Sequence, residues 1–234
     1  IIGHVGIDET NRRFFVSDHG KLKIFAYDLD SVLTTPEYQP SVKIDMKKKL
    51  FPDDYLYLND TLCIAKIIEP IGNNDYKPSV ARWNMATGEI NPMPYEYPDL
   101  KKVRFIYAAS AEHQLYVQCY TQYDLMTICD FNGNLKCNIY GPKWVNEKTQ
   151  TQHYSLGVEF CGDKILALYS GGDHRTDAYY PTKFLVFDLN GNYLKTLETG
   201  YMITDFCYDK ENNRLIINLN DEIQFAYLDL EGII

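Results

Sequence analysis

The segment Gly171-Gly172-Asp173-His174-Arg175, with Tyr179-Tyr180 just beyond it, gathers a carboxylate, an imidazole, a guanidinium and two phenol rings in a short stretch. Those groups hydrogen-bond, pair charges and stack. They are the equipment of a binding face for a sugar, a peptide or a partner protein. Trp144 and His153, in the segment Trp144–Tyr154, are expected on the same face. The predicted ligand contacts are therefore Trp144, Asp173, His174, Arg175, Tyr179 and Tyr180.

Signals for catalysis are weaker. There is no Gly-x-Ser-x-Gly, and Cys161 before Gly162 has no neighbour that would activate a thiol, so it reads as core. Asp130-x-Asn132-x-Asn134 and Asp188-x-Asn190-x-Asn192 place oxygens at alternate positions, like the start of a calcium loop, but lack the later bidentate Glu. The histidines His4, His19, His113, His153 and His174 have no zinc-ligand spacing. Gly171-Gly172 is followed by neither Lys-Ser/Thr nor a helix, so it is no phosphate loop. Lys47-Lys48-Lys49 sits between Asp45 and Asp53-Asp54 and reads as a solvated turn. No motif calls for a cofactor. The alternative function is a divalent-metal-dependent hydrolase or lactonase in a central channel, for which Asp8, Glu159 and Asp205 are the best-placed acids. Asp8 and its repeat counterpart Asp209 read more simply as turn residues.

The elements that must carry these groups follow from an internal repeat. Ile7-Asp8-Glu9-Thr10-Asn11-Arg12-Arg13-Phe14-Phe15-Val16 aligns without a gap on Tyr208-Asp209-Lys210-Glu211-Asn212-Asn213-Arg214-Leu215-Ile216-Ile217. Three further copies lie between. Their second strands begin at Leu62, Leu115 and Ile165, which with Phe14 and Leu215 gives spacings of 48, 53, 50 and 50. Each copy then reaches an Asx anchor, at Asp28, Asn84, Asp130, Asp188 and Asp229. Asn132-Gly133 and Asn190-Gly191 between apolar runs are hairpin signals, because both residue types tolerate the positive φ of a tight turn. Each unit reads as four antiparallel strands; in the fourth copy these are Ser155–Cys161, Lys164–Tyr169, Lys183–Asp188 and Tyr193–Leu197. Helical periodicity is nowhere sustained.

A four-stranded sheet with two apolar faces must stack on a neighbour at each side. The reading is an all-β, single-domain β-propeller over residues 1–234, with blades starting near 1, 53, 103, 154 and 202. A solenoid of hairpins is the runner-up. The last copy stops where its fourth strand should begin. The expectation is a six-bladed ring lacking an N-terminal blade or closing strand, or else a five-bladed ring with an incomplete last blade. By the alignment the second-to-third-strand loops Lys66–Pro78 and Tyr169–Thr182 are long, and long surface loops are where function is usually built.

The 234 residues carry 23 Lys+Arg against 32 Asp+Glu, a net charge of −9, which argues against a nucleic-acid partner. No apolar run has the length of a membrane span. The six cysteines sit mostly in apolar stretches and read as free and buried, with Cys119 and Cys129 the one pair that could face across a hairpin.

The recurrent Asp, Asn and Arg steps, with the later apolar-Asp-apolar-x-Gly turn, resemble the six-bladed propellers grouped as TolB-like and NHL-like. The Tyr- and Asn-rich texture is similar to exported propeller lipoproteins of Bacteroidetes. The resemblance implies a periplasmic or cell-surface location, a lipid anchor through a missing N-terminus and a binding role. It brings no catalytic residue. The function expected is thus a non-catalytic binding or scaffold propeller, with a glycan, small molecule or protein as partner.

Overall fold

In the computed structural model the described residues are 2–46, 50–72 and 75–234. The basic run Lys47-Lys48-Lys49 lies outside them. Nineteen strands form among them, in five successive antiparallel sheets. The first contains β1 (Ile2–Asp8), β2 (Arg13–Asp18), β3 (Lys23–Asp28) and β4 (Ser41–Asp45), and the second β5 (Phe51–Asn59), β6 (Leu62–Gly72), β7 (Asp75–Asn84) and β8 (Glu89–Pro92). The third contains β9 (Phe105–Ser110), β10 (Leu115–Tyr120), β11 (Leu125–Asp130) and β12 (Leu135–Tyr140). The fourth contains β13 (Thr151–Cys161), β14 (Lys164–Asp173), β15 (Lys183–Asp188) and β16 (Tyr193–Glu198). The fifth has three strands, β17 (Ile203–Asp209), β18 (Arg214–Leu219) and β19 (Phe225–Asp229). In every sheet the strands lie side by side in chain order. The fold class is that of the repeat reading: all-β, built from propeller blades.

The chain divides into two compact units, residues 1–96 with 131–133, and residues 97–130 with 134–234. In the first, the two sheets stack through Phe15, Ile24, Tyr55, Ala65, Ala81 and Trp83. In the second, the period of two along a strand explains how the fourth sheet serves two cores. Ile165, Ala167 and Tyr169 of β14 point into the core shared with the third sheet, while Leu166 and Leu168 point into the core shared with the fifth. An unbroken apolar run is the sequence trace of a strand buried on both faces.

The recurrent polar residues hold the turns between strands. Asp8 accepts from the Asn11 backbone N–H at 3.2 Å and from Arg13 at 2.6 Å, and Asp209 accepts from Asn212 at 3.2 Å and Arg214 at 2.9 Å. Burial pushes the Asp8 carboxyl up, but the hydrogen bonds from Asn11 and Arg13 outweigh it and hold it below the usual range. The anchors Asp130 and Asp188 act alike. Asp188 accepts from the backbone N–H of Asn190 and of Asn192, both at 2.9 Å, and from the Asn192 side chain at 2.8 Å. Asp130 accepts from the Asn134 backbone and side chain at 2.9 and 2.8 Å. These carboxylates close hairpins.

Several expectations need correction. Asp28 closes no hairpin; it caps a short helix, α1 (Leu29–Thr34), accepting from Ser31 N at 2.8 Å. The described residues of the segment Lys66–Pro78 are strand and not loop; residues 73 and 74 lie outside the described residues. β6 and β7 run on as a paired hairpin through Glu69↔Lys77 to Gly72↔Asp75. Cys119 pairs with Met126 and Cys129 with Tyr116, so the two cysteines occupy different rungs and do not face each other. All six cysteines are free, but Cys207 is exposed and Cys137 only half-buried.

Candidate functional site

The segment Tyr169–Thr182 begins as strand, to Asp173, and continues as a loop to the start of β15 at Lys183. β13 and β14 extend as an arm, with Gln152 opposite Gly172 and Thr151 opposite Asp173. The arm ends in one turn of 3-10 helix, Asp177–Tyr179. Ser170 Oγ ties the turn down, donating to Ala178 O at 2.6 Å and accepting from Gly172 N at 3.0 Å. A Cβ on Gly172 would stand 1.9 Å from that same carbonyl oxygen, so the close approach requires glycine.

This packing fixes the predicted contacts. Asp173 accepts from Arg175 through the backbone N–H at 2.9 Å and through Nη2 at 3.2 Å. Those bonds hold the Asp173 carboxyl below its usual range and raise the Arg175 guanidinium. Both side chains reach solvent. His174 is anchored to Gln150 O through its backbone N–H at 3.2 Å and through Nδ1 at 3.0 Å. Tyr179 and Tyr180 stack on each other with centroids 4.2 Å apart. The two rings are half-buried.

Trp144 lies in the connection between β12 and β13 and is half-buried in a nest of tyrosines. Its ring centroid is 5.1 Å from Tyr140, 5.8 Å from Tyr97 and 6.3 Å from Tyr123. The Tyr97 and Tyr140 hydroxyls are 3.3 Å apart, and Tyr140 is 50% exposed. One rim of the nest is therefore open to a ligand.

Lys143, the neighbour of Trp144, joins nest to arm. Its backbone N–H donates to Asp124 Oδ2 at 2.9 Å and its Nζ to Gly171 O at 3.4 Å. Asp124 and His153 are almost fully buried beneath this loop. His153 Nδ1 is 3.3 Å from Tyr169 Oη and 3.7 Å from Asp124 Oδ1. Burial lowers the His153 pKa; Asp124 opposes that effect and Lys143 reinforces it. The imidazole is a neutral strut under the face. The expectation that it would add a contact to that face is corrected.

Tyr97, Tyr140, Lys143, Asp124 and Tyr169 escaped the sequence reading. Tyr140-Gly141-Pro142-Lys143-Trp144, a turn dipeptide between two aromatic residues, was the available signal for part of the nest. Nothing local marks Tyr97. Of the inner-strand acids, Asp8 is taken up by its turn. Burial raises Asp205, and its carboxylate accepts from Phe206 N at 2.9 Å. Among the described residues no group of three or more His, Cys, Asp or Glu is arranged to hold a metal ion.

Sheets, repeat and loop face together define a β-propeller. Solved structures with this fold include the extracellular domain of BT4673 from B. thetaiotaomicron, with a TM-score of 0.61 and 11% identity over 96% of this chain. They also include a chain of a nidogen/laminin complex (TM-score 0.60, 11% identity, 99% of this chain) and one of the mitotic checkpoint complex (0.56, 6%, 97%). This chain covers 27% of the BT4673 chain, 77% of the nidogen/laminin one and 75% of the checkpoint one. No protein family and no curated protein matches the sequence. No described helix is long and apolar enough to cross a membrane.

Proposed function

We propose that this propeller is a non-catalytic binding module that recognises a glycan on the loop face of its third and fourth sheets. The observation that carries the reading is the open tyrosine nest around Trp144, tied through Lys143 to the arm that presents Asp173, His174 and Arg175. Sugar rings offer C–H faces that pack on aromatic rings and hydroxyls that pair with carboxylate and guanidinium. The stacked Tyr179–Tyr180 pair offers a second ring surface on the arm. The reading includes a TolB-like or NHL-like affiliation and a place at the cell surface. The likeness to an extracellular domain supports that location. A small molecule or a protein loop is the other kind of ligand this face would take.

The test is a thermal-shift screen of glycans, followed by calorimetry on any hit. A ligand at 100 times its Kd should stabilise the fold by about 2.7 kcal/mol. Trp144→Ala, and separately the double variant Arg175→Ala/Tyr180→Ala, should each weaken binding at least tenfold while the fold persists. A hit that binds both variants like the parent would place the ligand elsewhere. A screen without any hit would turn the reading toward a protein partner.

A further inference from the structure

Beneath the open nest lies a buried acid–base pair that ligand contact does not use. His153 on β13 and Asp124 in the turn before β11 are each 1% exposed. The imidazole is held at one nitrogen only. Nδ1 stands 3.3 Å from Tyr169 Oη of β14 and 3.7 Å from Asp124 Oδ1, while Nε2 is buried with no hydrogen-bond partner among the described residues. Asp124 Oδ1 is likewise buried without a hydrogen bond, whereas Oδ2 accepts from the Lys143 N–H at 2.9 Å. The other charged and titratable groups around the pair are Lys143 above it and Tyr154 of β13, with Cys119 of β10 by Tyr154. Lys183 of β15 also reaches Tyr169, its Nζ 5.8 Å from the ring centroid.

What covers the pair is loosely built. Residues 141–150 form no strand or helix, and most of them are exposed. At its start this connection is held by Gly141 N donating to Asp124 O at 2.8 Å, by the Lys143 N–H on Asp124 Oδ2 and by Lys143 Nζ on Gly171 O. At its end Thr149 N donates to Gln122 O at 3.3 Å. The Asp124 carboxyl fills the place a Cβ on residue 141 would take, so the start of the connection rests directly on it. Trp144 follows one residue after Lys143. Few buried contacts and solvent-reached hydrogen bonds mark a segment that opens at less cost than the fold around it.

A proton on His153 changes the competition for Asp124. In the imidazolium both ring nitrogens are donors. The Nε2–H is then a buried donor without an acceptor, which costs free energy. The Nδ1–H attracts Asp124 Oδ1 across 3.7 Å. Closing that gap to a charge-assisted hydrogen bond of about 2.8 Å turns the carboxyl away from the Lys143 N–H. We propose that protonation of His153 draws Asp124 off Lys143, releases the 141–150 connection and opens the Trp144 nest, making the loop face a pH switch. The bistable element is one carboxyl with two alternative partners. The opening does not depend on what the face binds; the loss of ligand affinity in acid that accompanies it rests on the glycan reading.

The test reads Trp144 directly and needs no ligand. Acrylamide quenching of tryptophan fluorescence is measured from pH 7.5 to 5, with circular dichroism alongside. Trp144→Phe is the control, since there the buried Trp83 alone reports. Burial lowers the His153 value below the ordinary 6.5, so the proton binds and the loop opens below that pH. Quenching in the parent should rise by about twofold or more with its midpoint below pH 6.5, while the circular dichroism stays constant. His153→Gln takes up no proton and should lose the rise. Asp124→Asn keeps an oxygen for the Lys143 N–H but offers an imidazolium no charge, so it should lose the rise too, and it decides the matter if His153→Gln does not fold. A flat profile in the parent, a rise that persists in either variant or in Trp144→Phe, or quenching that changes only together with the circular dichroism would overturn the proposal.

Discussion

At the scale of single residues, the chemistry-bearing side chains serve two ends. Asp8 and Asp209 are spent on turns, whereas Asp173 and Arg175 remain in reach of solvent. Asp124 is a support, and its surroundings leave no slack. A Cβ on Gly141 would fall 2.2 Å from its carboxyl atoms. Gly141→Ala should therefore destabilise the protein by about 1–3 kcal/mol, the usual cost of overpacking, read as a lower urea midpoint with an unchanged slope. An unchanged midpoint would mean the loop over Asp124 gives way. His153 supplies a pH dependence. In the unfolded chain its imidazole titrates near 6.5, whereas in the fold burial lowers that value. Between the two values the unfolded chain binds a proton that the native chain does not, so acid favours unfolding. His153 contributes no such penalty above about pH 6.5, and stability should fall as pH drops through the lower, folded value. Asp8 adds an effect of the same sign at lower pH, because its folded pKa is also depressed. Urea midpoints measured from pH 7.5 to 5 should decline in the parent and flatten in His153→Gln. A slope equally steep in the variant would assign it to other groups. The sequence showed His153 only as one histidine in a polar segment. Its burial depends on Asp124 and Tyr169, which come to it from the turn before β11 and from β14.

At the scale of elements, turns were the legible part. Asp188-x-Asn190-Gly191-Asn192 closes as a hairpin because one carboxylate takes three donors and Gly191 supplies φ of 86°. Gly191 also has no room. An added Cβ would stand 2.7 Å from Cys137 Sγ, whereas at Gly162, with φ of 59°, nothing lies within 4 Å. Gly162→Ala should cost roughly 1 kcal/mol of backbone strain, and Gly191→Ala clearly more. Urea titration of the two variants gives the order directly, and equal losses would show that the Cys137 hairpin yields. Strand ends were less legible than turns. Glu69-Pro70-Ile71-Gly72 and Ser170-Gly171-Gly172-Asp173 have neither alternation nor strand-forming composition, yet both are paired. Their ladder comes from the partner strand, which local propensity does not record. The six-residue helix α1 was missed for a related reason. It is too short for a periodic pattern, and Asp28, its cap, looked like another hairpin anchor.

At the scale of the whole molecule, five sheets were legible because a repeat of about 50 residues is itself a long-range signal. Binding was not, since the loop face assembles from segments far apart in sequence, as Tyr97 with Trp144. Ionic strength tests the physics of the proposed glycan face. Ring stacking in the Trp144 nest involves no net charge transfer and should be insensitive to salt. Added ions shorten the screening length from about 10 Å at 0.1 M to about 3 Å at 1 M, which weakens contacts between solvent-exposed charges and leaves ring stacking alone. The affinity of a glycan hit should stay within about twofold. Glycan binding that collapses as salt rises would move recognition from the rings to Asp173 and Arg175, whose charges face solvent on the arm.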